Sequence, residues 1–159
     1  MKNLNIFWLL FVLFIISCGI KESNIPIYGY LLQKDNMKTF TLNIIKKEGL
    51  INFEYRHQID TVANVEVIYN LEENILISDL DTFSATAKVY NSKSLEFKLY
   101  ETKGIRSHNS TLVFNKKYGL LASFVFGKDF IFLKDSISVN TKELIFKELF
   151  LELNKVLIE

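Results

Sequence analysis

Disulfides are excluded from this chain, because Cys18 is its only cysteine and has no second thiol to meet. Net charge is nearly absent as well. Nineteen lysines and arginines face 18 acids, so no basic excess exists to draw nucleic acid and no polybasic run to hold anionic lipid. Arginine is confined to Arg56 and Arg106, proline to Pro26 and histidine to His57 and His108. Two histidines without a third ligand at metal spacing define no metal site. None of the glycine-rich, P-loop, zincin or nucleophile-elbow motifs occurs, and no motif implies a cofactor. Long hydrophobic runs are missing too. The N-terminal stretch Ile6 to Ile16 has 11 apolar residues, against about 20 for a bilayer-spanning helix.

What the chain does have is aromatic bulk, 14 Phe and seven Tyr, and alternation. Phe40, Leu42 and Ile44 fall on one face of an extended segment. Ile51, Phe53, Tyr55 and His57 share a face opposite Asn52, Glu54, Arg56 and Gln58, and Leu95, Phe97 and Leu99 alternate with Glu96, Lys98 and Tyr100. Period two with one wet face predicts antiparallel sheet. Further strands are expected near 26–33, 62–70, 75–79, 82–90, 110–115, 119–126 and 129–134. Short turn-like links separate them at Glu48-Gly49, Leu71 to Asn74, Asn91 to Ser94 and Lys117 to Gly119. The segments 41–51 and 111–121 echo each other through Lys-Lys-x-Gly-Leu. Two hairpins solving one turn problem account for the echo, as a duplicated half-domain also would.

The period changes at the C-terminus. Ile145, Leu149, Leu153 and Val156 recur at spacings of three and four, widened by Phe146, Phe150 and Leu157. Asn140 or Thr141 is placed to cap this helix, with Glu143 three positions after Asn140 as in a capping box. The preceding segment, Leu120 to Leu133, is apolar on both faces and needs a second cover. The expected fold is mainly β: an antiparallel meander sheet or open barrel of about eight to ten strands, with a C-terminal α-helix at about 141–157 packed on its last hairpin. A chain cut at Asn140 should then expose apolar surface.

The N-terminus has the layout of a secretory signal: Lys2, the apolar run, then the small Ser17. Ile15-Ile16-Ser17-Cys18 resembles the lipobox of bacterial lipoproteins. The resemblance implies that residues 1–17 are removed and that Cys18 becomes the acylated, palmitate-bearing first residue of a mature chain. Several acyl chains anchor stably where one holds only marginally. A plain signal peptide with an incidental cysteine and a short core helix are the alternatives. By the same resemblance Gly19, where an Asp would signal inner-membrane retention, favours the outer membrane, on its periplasmic side or at the cell surface. Residues 18–24 would form the tether, whose Lys21-Glu22 faintly resembles the charged tether of surface-exported Bacteroidetes lipoproteins and equally suits a solvated linker. Residues 25–159 would form one β-rich domain. Lys2 is the only charged residue in the leader, so the 142 remaining residues balance 18 bases against 18 acids.

Candidate chemistry is sparse. Asp79 and Asp81, at i and i+2, could turn two carboxylates toward one cation or sugar, although calcium wants six or more oxygens and a solvated turn explains the pair. His57 reads as a hydrogen-bonded core or rim histidine, and His108 sits in the polar run Gly104 to Ser110. Phe124, Phe126, Phe130 and Phe132 could line a lipid cavity or simply fill a core. If the Cys18 thiol is acylated, cysteine catalysis is excluded. The expectation is a non-enzymatic accessory or interaction protein, held at a membrane through Cys18, with a cell-envelope protein as partner and no small molecule or nucleic acid identified. The alternative is a carrier of a lipid or other hydrophobic ligand, similar in architecture to the lipoprotein-localisation factors. Behind these come a cell-envelope glycan enzyme using Asp79, Asp81 or His108, and an inhibitor of a single partner.

Overall fold

A computed structural model describes residues 21–32, 37–78, 81–92, 94–102, 110–125 and 128–155. Ten antiparallel strands follow one another in chain order: β1 (Lys21–Leu31), β2 (Met37–Lys47), β3 (Leu50–His57), β4 (Val65–Asn70), β5 (Ile75–Ser78), β6 (Asp81–Ser92), β7 (Leu95–Thr102), β8 (Thr111–Asn115), β9 (Gly119–Val125) and β10 (Lys128–Leu133). Each pairs with the next, and β1 also pairs with β10 from Tyr28↔Leu133 to Leu31↔Phe130. The meander expected from alternation is present. The pairing of its first and last strands closes the ring through residues 28–31 of β1, where neither strand is left as an open edge. The ring is irregular, with a four-residue β5 and ladder shifts after Glu22, Ala85 and Val113.

Two apolar layers hold it. The interior follows from the period-two pattern: Ile44, Phe53 and Val67 stand side by side across β2, β3 and β4 and are all buried. Phe40, Tyr55, Phe114 and Phe132 fill the same space. Burying each such side chain contributes about 1.5–3 kcal/mol relative to exposure. The second layer lies outside the ring, where helix α1 (Val139–Leu153) covers it. Phe146 and Leu149 share one buried cluster with Leu121, Ala122, Phe124 and Ile131 of the last hairpin and with Phe97 and Leu99 of β7. Phe124 lies 5.1 Å from Phe150, ring centre to ring centre. Tyr90 donates to Glu148 at 2.8 Å, and the Lys88 ammonium donates to the carbonyl of Leu153, a cation at the negative end of the helix dipole. Leu121 is the extra residue of the β8–β9 bulge, so it and Ala122 both face the helix while Leu120 points inward.

Several boundaries differ from expectation for local reasons. The helix starts at Val139 behind an N-cap at Ser138, whose Oγ accepts from the Thr141 N–H, so neither Asn140 nor Thr141 is the cap. Val156 and Leu157 lie outside the described residues. β1 begins at Lys21, which takes most of the expected tether into the sheet, with Asn24 at a positive φ within the ladder shift. The strand expected from 62 starts at Val65, because Asp60 caps a short 3-10 helix, Thr61–Ala63. The echoed segments form different turns: Gly49 lies inside the turn between Lys47 and Leu50, whereas Gly119 pairs with Asn115 as the first residue of β9. The different turn lengths favour two hairpins converging on similar residues.

Candidate functional site

Up-and-down strands give the ring two rims. The near rim carries the start of β1 and the links β2–β3, β4–β5 and β8–β9. The far rim carries the end of β1, the β3–β4 connection and the ends of β5, β7 and β9.

A cleft of roughly 280 Å³ opens at the near rim, lined by Tyr69, Asn74, Lys98, Tyr100, Phe114 and Lys116 among others. Asn74 closes the β4–β5 turn in the left-handed region, φ 53°, a conformation asparagine tolerates better than most residues. That geometry aims its side chain inward, where Oδ1 accepts from both the Tyr69 and Tyr100 hydroxyls at 3.0 Å. Burial, with Tyr69 close by, pushes the Tyr100 phenol well above its ordinary range. The Tyr100 hydroxyl is therefore neutral near pH 7 and donates a hydrogen bond rather than serving as a phenolate base. No cluster of three or more His, Cys, Asp or Glu suited to a metal ion occurs among the described residues.

The sequence candidates do not converge there. His57 lies at the far rim, half-buried and edge-on to Phe40 at 5.2 Å. Its Nδ1 accepts from the backbone N–H groups of Ile59 and Asp60, at 3.2 and 2.8 Å. It is a hydrogen-bonded rim histidine that shapes a loop. Asp81 opens β6, half-buried and in register with Ser78. Asp79, His108 and Cys18 lie outside the described residues. The four phenylalanines proposed as a cavity lining divide instead. Phe124 packs beneath the helix, Phe130 and Phe132 belong to the interior, and Phe126 lies outside the described residues.

Reading by alternation missed the β3–β4 connection. Asp60 Oδ1 accepts from Val62 N at 3.0 Å, and Asn64 Oδ1 accepts from His57 N at 2.8 Å. The signal was available in Asp60-Thr61, a helix-starting pair in front of a supposed strand. Ile59 and Val62 stand 91% and 86% exposed on this loop.

Three buried tyrosines and the half-buried Tyr118 give the fold an alkaline limit. Tyr90 is pushed up to about 12 by burial and by the adjacent Glu148. Tyr118 is pushed up to about 12, chiefly by burial and further by Asp135. Tyr55 and Tyr100 are raised in the same direction by burial. A phenol raised on folding contributes stability that is fully present below its unfolded value, near 10, and is lost as pH rises through the folded value. With respect to tyrosine ionisation, the melting temperature should therefore hold level from pH 7 to 9 and fall steeply between 10 and 12. Differential scanning fluorimetry checks this, and a level profile to pH 12 would contradict it.

Comparison with protein-family models, with curated proteins and with solved structures finds no match.

Proposed function

We propose that this protein is a lipid-anchored cell-envelope protein that works by binding a partner rather than by catalysis. The observation that carries the anchor is Ile15-Ile16-Ser17-Cys18 standing directly before the first strand, which begins at Lys21. Three residue steps span about 10 Å at most. An acyl group on Cys18 would therefore hold the near rim close to the bilayer and turn the far rim outward. Gly19 favours the outer membrane by resemblance to lipoprotein sorting signals. The non-catalytic part is supported by the near-rim cleft, where the Tyr69 and Tyr100 hydroxyls are both engaged in donating to one amide oxygen. A hydrophobic-ligand carrier would have to open an interior that Phe40, Tyr55, Phe114 and Phe132 fill, so the partner-binding reading is preferred.

The test is Cys18→Ser in the full chain, expressed in a bacterium fed a clickable palmitate analogue. Wild type should take up label and sediment with membranes. The variant should lose both label and leader cleavage. A Cys18→Ser chain that still carries label, or an unlabelled wild type, would overturn the anchor.

A further inference from the structure

We infer that the far-rim loop Gln58–Asn64 is a preformed docking knob, whose Ile59 and Val62 side chains insert together into a concave apolar pocket on a partner protein. This rests on the partner-binding reading above and names the surface. Six hydrogen bonds fix the loop. His57 Nδ1 accepts two, Asp60 Oδ1 and Asn64 Oδ1 accept one each, and the backbone pairs Ala63 N with Asp60 O and Asn64 N with Thr61 O. The two most exposed large apolar side chains of the described residues thus stand on backbone that is already ordered. Their burial on binding carries little further cost in loop entropy, the condition under which a small contact becomes a strong one.

Three occupants compete for this knob, and the surroundings choose between them. A bilayer is disfavoured because the Asp60 carboxylate lies between the two aliphatic residues and would accompany them into hydrocarbon. Lys38 stands 4.0 Å from that carboxylate, so both charges would have to leave water together with the aliphatic pair. The anchoring membrane would also lie beyond the opposite rim, on the order of 20 Å away along β3. A second copy of the chain is disfavoured because tip-to-tip contact would set Asp60 against Asp60. It would also bury far less than the roughly 1,200–2,000 Å² of a stable interface. A pocket that surrounds both side chains recovers most of their area from a knob of this size. A donor at its edge would meet the Asp60 carboxylate, which is exposed.

The experiment places a photo-crosslinking amino acid at position 59 or 62 of the full chain in its native host, with controls at Glu72 on the near rim and Leu151 on the helix. A discrete protein adduct is expected from 59 and 62 and not from the controls. It should vanish when Val62→Asp accompanies the probe at 59, with the melting temperature unchanged. The adduct's partner, purified, should bind the wild-type chain at least about tenfold more tightly than Val62→Asp. Adducts no stronger than at the controls, a dimer of this chain, a lipid adduct or an unchanged affinity would each overturn the knob. Palmitate labelling in the same cells reports on the anchor separately. A labelled chain without an adduct refutes the knob alone, and an adduct on an unlabelled chain refutes the anchor alone.

Discussion

A stop codon after Asn140 is expected to convert a cooperatively folding domain into an aggregating one. It removes Phe146 and Leu149 from the outer face of the ring and leaves Tyr90, Phe97, Leu99, Val113, Leu121, Phe124 and Ile131 without their cover. Contiguous apolar patches of this kind mark association sites or aggregation liabilities. Two polar ties go as well, from Tyr90 to Glu148 and from Lys88 to the Leu153 carbonyl. A milder version separates lost cover from lost length. Phe146→Ala keeps the helix and should cost about 3–5 kcal/mol, lowering the melting temperature by on the order of 10 °C. The exposed Leu144→Ala should change it little, because Leu144 is 59% accessible already. The measurements are soluble yield and thermal melts of the three variants beside the wild type. A truncated chain that melts cooperatively at the parental temperature would refute the role of the helix.

The same helix shows what the sequence made legible. Leu120 to Leu133 is apolar on both faces, and α1 has one apolar stripe, so the pairing of the two could be read from pattern alone. Closure of the ring could not. It depends on four residue pairs between β1 and β10, 99 to 105 positions apart in the chain, and neither segment carries a local mark of its partner. The cap was misread because Asn140 and Thr141 have the right chemistry two and three positions too late, while Ser138 already sits where the backbone bends. The knob was hidden because Val62, Val65 and Val67 look like strand until Asp60 is recognised as the residue that starts the 3-10 turn. Asn74 was readable as a turn residue, but its two tyrosine partners come from β4 and β7 and meet only once the register is set. Local chemistry was visible in the sequence, and convergence across strands was not.

Gly119→Ala should be among the most damaging single substitutions in the molecule, costing about 4 kcal/mol. That is a large share of a typical stability of roughly 5–15 kcal/mol. Gly119 has φ +95°, outside the range comfortable for a residue with a side chain, and a Cβ there would press on the Tyr55 hydroxyl and stand 3.2 Å from Phe53 Cδ1. Neither neighbour can yield easily. Both are fully buried, and the Tyr55 hydroxyl reaches across the interior to accept the Leu120 N–H at 2.7 Å beside the β8–β9 bulge. The conformational part should cost about 1–3 kcal/mol and the overpacking a similar amount. Gly49→Ala isolates the first contribution, since Gly49 also has positive φ, +69°, but a Cβ there would meet only Glu72, at 3.7 Å. It should cost about 1 kcal/mol. Tyr55→Phe should cost about 1–3 kcal/mol by leaving the buried Leu120 N–H without its acceptor. The double variant decides the mechanism. If the Tyr55 oxygen is what the new methyl strikes, removing it relieves the clash, and Gly119→Ala with Tyr55→Phe will be less destabilised than the sum of the two. Strict additivity in urea melts, or a Gly119→Ala chain as stable as Gly49→Ala, would show that strand β9 can move away from the tyrosine. The strut across the interior would then not be what fixes the bulge.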